Sequence, residues 1–176
     1  MAISSTINKV SLSIANMDTH YYQSHELTMA QHPSENNYRF MMRLIAFSLN
    51  ADEQLTFTKG MNNDDEPELW QKTLTDEIEL WIDFGQLDEK RIRKACGRAK
   101  QVIIYTYHEG KASVWWQQQQ DKCQRFNNLS VIQINAEDGI ESLLQRSMQL
   151  QCNIQEEVMY LSDDNDAHTI TFTQLN

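Results

Sequence analysis

The sequence predicts an α/β (α+β) fold, a mixed central β-sheet flanked by helices, with strands at the N-terminus and a β-hairpin at the C-terminus. Three observations carry this prediction. Val10, Leu12 and Ile14 alternate with small polar residues near the start. Stripes of helical period then alternate with short β-rich runs through the middle of the chain. An acidic turn between two β-rich runs closes it. Strands first, alternation next and a hairpin last is the order of a mixed sheet with helices packed on its faces.

Each element has its own signal. The alternation through Ile14 marks a half-buried strand, Asn16-Met17-Asp18 a turn, and Tyr21 to Met29 a returning strand. Ser34 is placed to cap a helix, because its hydroxyl can accept a bond from a free backbone N–H. Tyr38, Met41, Met42, Ile45 and Leu49 follow as one apolar stripe. Leu55 to Thr58 reads as a short strand, Gly60 to Glu66 as an acidic loop, and Pro67 opens a new segment through Trp70. Ile78, Leu80, Ile82 and Phe84 alternate with Glu77, Glu79, Trp81 and Asp83, a strand with one apolar face that Gly85 ends. Asp88 caps the next helix, whose buried stripe is Ile92, Ala95, Cys96 and Ala99. Val102 to Tyr107 is rich enough in β-formers to be a central strand. Ser113 to Phe126 reads as helix, Leu129 to Ile134 as strand and Glu137 to Leu150 as helix. Ile154 to Tyr160 leads into the turn Ser162 to Asp166, which returns through Ile170 and Phe172.

Bulk properties bound the function. The chain has 176 residues, 40% of them hydrophobic and 23% charged, which is the balance of one globular domain spanning 1–176. No apolar run approaches the ~20 residues that span a bilayer, and the first ten residues lack the pattern of a signal peptide. The expected location is the cytoplasm, with no membrane partner. Three dispersed cysteines and five scattered histidines give no disulfide framework and no zinc pattern. A net charge of −10 repels a phosphate backbone, so nucleic-acid binding would need a local basic patch. Nucleophile elbows and Walker loops are absent.

The informative stretch is Asp64 to Lys100. Mg²⁺ needs carboxylates converging from separate segments, and Glu68 and Asp83, the latter near a strand end, could supply them. Lys90, Arg91, Lys94 and Arg98 share much of the helix face opposite Ile92 and Ala95. They could contact phosphates or simply be a solvated face.

The blocks His32-Pro33-Ser34-Glu35, Asp64 to Trp70, Leu80 to Gln86, Asp88 to Cys96 and Trp115-Trp116-Gln117-Gln118 resemble those of the YaeQ family across essentially the whole chain. That resemblance implies a restriction-endonuclease-like fold, a variation on the PD-(D/E)XK nucleases. Pro67-Glu68 then stands at the Pro-Asp position and Asp83 at the second acidic position. Gly85 stands where the superfamily has lysine, with Gln86 adjacent and Lys90 or Lys94 able to reach back from the helix. Glu35 resembles the extra acidic residue that some members keep. The implied activity is a Mg²⁺-dependent phosphodiesterase acting on nucleic acid, with metal ligands Glu35, Glu68 and Asp83. Its catalytic group would be Glu68, Asp83, Gln86, Lys90 and Lys94, with nucleic-acid contacts from Arg91, Lys94 and Arg98 on the Lys90 to Lys100 helix. The alternative is a noncatalytic nucleic-acid-binding or protein-interaction module that retains the fold.

Overall fold

The computed structural model describes residues 4–59 and 63–176. In chain order the elements are β1 (Thr6–Asn16), β2 (Tyr21–Gln31), α1 (Asn37–Leu49), β3 (Leu55–Phe57), β4 (Leu69–Lys72), β5 (Ile78–Phe84), α2 (Glu89–Arg98), β6 (Ala99–Thr106), α3 (Glu109–Cys123), β7 (Leu129–Ala136), a 3₁₀ turn (Ile140–Leu143), β8 (Ser147–Gln155), β9 (Val158–Ser162) and β10 (Ala167–Gln174). The fold is mixed α+β. Of the loop read as Gly60 to Glu66, residues 60–62 lie outside the described residues, as do residues 1–3 at the N-terminus. The 1–176 span is built of two compact units, one of residues 1–48 and 136–172, the other of 49–135 and 173–176.

In the first unit the strand order is β2-β1-β8-β9-β10. β1 pairs antiparallel with β2 and parallel with β8; β9 pairs antiparallel with both β8 and β10. Period two decides which side chains are buried. Val10, Leu12 and Ile14 of β1 face inward with Met148, Leu150, Cys152 and Ile154 of β8, while Ser13, Gln149, Gln151 and Asn153 face outward. α1 is buried almost all round, from Phe40 to Ser48.

Two expectations are corrected here. The cap of α1 is Asn36, whose Oδ1 accepts from the Arg39 N–H at 2.8 Å. Ser34 lies further out, with its hydroxyl 2.6 Å from His32 Nδ1. The segment Glu137 to Leu150 is not a helix: Gly139, at φ +94°, leads into the short 3₁₀ turn, and β8 begins at Ser147. Met148 and Leu150 begin a period-two run that continues through Cys152 and Ile154. Parallel pairing with β1 buries that run, which a helix would split between faces.

The second unit has the strand order β7-β6-β5-β4-β3, antiparallel through β3, β4 and β5 and parallel from β5 to β7. β5 and β6 are buried on both faces, as parallel central strands are. Trp81, which alternation alone places on the polar face of β5, is therefore 1% exposed. It joins Ile92 and Ala95 of α2, Trp115 and Cys123 of α3 and Val102, Ile104 and Val131 in one core cluster. The helix read from Ser113 starts earlier, at Glu109, behind His108 at φ +62°. All three cysteines are free, and burial pushes the Cys96 thiol up to about 11 and Cys152 to about 12. Among the described residues no helix is long and apolar enough to cross a membrane.

Candidate functional site

The second unit brings the end of β5, the start of α2 and the acidic loop before β4 to one place. Gly85 ends β5 with its N–H bonded to Tyr105 O at 2.9 Å, and it does so at φ +89°, a region L side chains rarely adopt. The position where the resemblance expects lysine is thus a backbone turn suited to glycine. Gly85→Lys is expected to cost about 1–2 kcal/mol of stability, read as a lowered urea midpoint. Open space around the Cβ position leaves backbone strain as the cause.

Asp88 caps α2, accepting from the Arg91 N–H at 2.8 Å. One turn into the helix, the Arg91 side chain reaches back to β5. Its Nε donates to Asp83 Oδ2 at 2.9 Å and its Nη2 to Asp83 Oδ1 at 3.1 Å. The Trp81 indole N–H donates to the same Oδ2 at 2.9 Å. The guanidinium also donates to the backbone carbonyls of Asn63 (3.2 Å) and Glu66 (3.1 Å). Asp83 is buried, its side chain only 3% exposed, whereas Arg91 keeps 23%. Burial works to lower the Arg91 pKa. The hydrogen-bonded charge of Asp83, helped by Asp64 and Glu68, outweighs burial and holds it above its ordinary range. Glu68 is itself buried, with its backbone N–H bonded to Ile82 O at 3.1 Å on β5. Asp83 and Glu68 therefore both act on one arginine.

The basic residues of α2 have separate positions. Lys94 Nζ donates to Asp64 O at 2.9 Å and to Asp65 Oδ1 at 2.8 Å, and Arg98 Nη1 to Asp65 O at 2.6 Å. Arg98 also stands 5.1 Å over the Trp81 ring. The hydrogen bond and charge of Lys94, with Arg98 further off, hold the Asp65 carboxyl below its usual range. Lys90 is exposed and lines a shallow pocket of about 280 Å³ with Asp64, Asp88, Arg91 and Lys94. Gln86 lines a different concavity, beside Lys111, Val114, Trp115 and Gln118 of α3. Lys100 lies on β6, 2.5 Å from Glu79 Oε1.

Glu35 belongs to the first unit and is held there by two arginines. Arg43 Nε and Nη2 donate to its two oxygens at 2.7 Å each, and Arg39 Nη1 adds a third bond at 2.9 Å. Arg43 also donates to Ala30 O of β2 at 2.8 Å.

A hard cation needs several carboxylate or carbonyl oxygens free to face it. Both oxygens of Asp83 and both of Glu35 accept hydrogen bonds from guanidinium groups, so a metal at either residue would have to displace an arginine. Among the described residues no group of three or more His, Cys, Asp or Glu side chains is placed to hold a metal ion. Reading from sequence missed Arg43 and Trp81, and it placed Arg91 on a phosphate-facing surface. No local spacing rule pairs a strand residue with one eight places on, beyond a turn.

The YaeQ protein family profile matches residues 1–172. The chain belongs to the YaeQ family. A relative from Escherichia coli (strain K12), described as uncharacterized protein YaeQ, is 42% identical over 98% of this chain and 97% of its own length. One from Salmonella typhi, with the same description, is 41% identical over the same shares. The crystal structure of YaeQ protein from Xanthomonas axonopodis pv. citri is similar, with a TM-score of 0.94 at 39% identity, covering 98% of this chain and 99% of that one. The YaeQ protein from Pseudomonas syringae is also similar, with a TM-score of 0.91 at 29% identity, covering 98% and 96%.

Proposed function

We propose that this YaeQ-family chain is a noncatalytic binding module. In this reading the acidic residues that a PD-(D/E)XK nuclease would use for a metal serve instead as a structural latch. The observation that carries the reading is the Asp83 carboxylate, which accepts from Arg91 on both oxygens and from Trp81 on one. Through the same guanidinium, Asp83 ties the loop at Asn63 and Glu66 to β5 and α2. A fixed loop on a buried ion pair suits a rigid recognition surface. A phosphodiesterase would need Arg91 to leave Asp83 before a cation could bind, and that departure uncovers a buried charge.

The geometry favours a partner other than a nucleic acid. Lys94 and Arg98 hold the backbone and side chain of the acidic loop, Lys100 faces Glu79 and Glu77, and Arg93 lies 3.7 Å from Glu89. The cationic face of α2 is thus largely neutralised within its own unit, in a chain of net charge −10.

Calorimetric titration of Mg²⁺ and Mn²⁺ tests the reading. Wild type is expected to give no saturable heat at concentrations up to about 5 mM, far above an affinity that a resident divalent site would need. Saturable binding that disappears in Asp83→Ala, together with metal-dependent cleavage of DNA or RNA, would restore the nuclease. Binding to nucleic acid that weakens steeply with salt and is lost in Lys94→Ala would restore the nucleic-acid module.

A further inference from the structure

The outward face of the first unit's sheet is nearly free of charge. Along the outward positions of β1, β2, β8, β9 and β10, the charged residues are Lys9 and Glu26, in a chain that is 23% charged overall. Solvated sheet faces ordinarily carry both signs interspersed. This one carries hydroxyls and amides. Cross-strand register aligns Ser24, Ser13, Gln151 and Ser162 in one row, and Tyr22, Ala15, Asn153 and Tyr160 in the next. A concavity of about 370 Å³ lies over the first row, lined by Ser11, Ser13, Ser24, Gln149 and Gln151 of the strands and by Asp163 and Asp164 of the β9–β10 turn.

The second row supplies relief. Tyr22 is 56% exposed and Tyr160 48%, so both rings stand in solvent. Three strand spacings separate them, about 14 Å. Between them stands Ala15, too short to fill the gap, and Asn153. The result is a polar trough with an aromatic post at each end.

We propose that this face binds a neutral saccharide, with Tyr22 and Tyr160 stacking against sugar rings and Ser13, Ser24, Gln149 and Gln151 bonding its hydroxyls. The chemistry is matched group by group. A sugar hydroxyl both donates and accepts, and so do a serine hydroxyl and a glutamine amide, whereas a carboxylate only accepts and an ammonium only donates. The row of Ser24, Ser13, Gln151 and Ser162 beneath the concavity carries no charge, and the solvated carboxylates of Asp163 and Asp164 in its wall can accept from ligand hydroxyls. Tyrosine presents a rigid apolar face to sugar C–H groups at little entropic cost. Asp163, Asp164 and Glu26 oppose a polyanion, and the hydroxyl-lined floor offers nothing to an apolar ligand. Every residue involved lies in the first unit, so the inference does not depend on the Asp83–Arg91 latch.

The test is saturation-transfer NMR and calorimetry with maltotriose, cellotriose and chitotriose on the full chain. At least one is expected to bind with a Kd of about 1 mM or tighter. Tyr22→Ala and Tyr160→Ala are each expected to weaken it roughly three- to tenfold. Gln151→Arg, which puts a long cation into the trough, is expected to abolish binding with an unchanged melting curve, and it decides the matter if a tyrosine variant fails to fold. Absence of binding for all three sugars up to about 20 mM would overturn the proposal. So would binding that ignores these substitutions. A dimer in sedimentation that Ser24→Arg and Gln151→Arg dissociate, with no sugar bound, would assign the face to a second copy instead.

Discussion

Arg43→Ala is expected to destabilise the protein by about 3–5 kcal/mol, the largest effect of any single substitution considered. Arg43 and Glu35 are both buried, at 6% and 1% side-chain exposure. Their two bonds run in parallel from one guanidinium to one carboxylate, a geometry that lysine cannot reproduce. Removing the arginine leaves Glu35 with Arg39, which is more exposed, and takes a donor from Ala30 O. Urea denaturation followed by circular dichroism measures the loss as a lowered midpoint. Arg43→Lys is expected to recover only part of it. A midpoint within error of wild type for Arg43→Ala would mean that water reaches Glu35 freely and that the buried pair contributes little.

Arg91→Ala is expected to cost somewhat less, about 3 kcal/mol, because Arg91 keeps a quarter of its surface in water while Asp83 does not. Two consequences follow from one lost side chain. Asp83 keeps the Trp81 indole as a donor but loses its counter-charge. The loop loses its bonds at Asn63 O and Glu66 O, so amide hydrogen exchange there is expected to quicken. The double substitution Asp83→Leu with Arg91→Leu is expected to be more stable than Arg91→Ala alone, since it removes the stranded charge along with its partner. If the double variant were the less stable, the pair would be contributing net attraction and not merely avoiding an unpaired carboxylate.

Much of the fold is legible in the sequence. Period two identified β1 and β5, the Asp88 cap located α2, and the turn at Ser162 to Asp166 located the last hairpin. These signals are local: a side chain's face or a cap depends on neighbours within about one turn. The segment Glu137 to Leu150 is ambiguous locally, because a short apolar pattern there suits either helix or strand, and only the neighbouring β1 decides between them. Trp81 falls on the polar face by alternation yet is buried, for the same reason. Alternation tells which residues share a face, but not whether a helix covers it.

The candidate site divides along the same line. Sequence by itself determined the family, the acidic positions Glu35, Glu68 and Asp83, the basic run along α2 and the glycine in place of lysine. It also contained the alternating serines and glutamines of β1 and β8. Only the tertiary structure decided what the carboxylates face. Arg91 and Arg43 each sit eight residues from the acid they bind, across a change of direction in the chain. Whether such a pair meets depends on where helix and strand pack, and composition says nothing about that. The charge-poor sheet face arises the same way, because residues from β1, β2, β8 and β9 become neighbours only through strand register. Ion pairs and binding faces are properties of distance in space, and distance along the chain determines them only inside a single helical turn or strand.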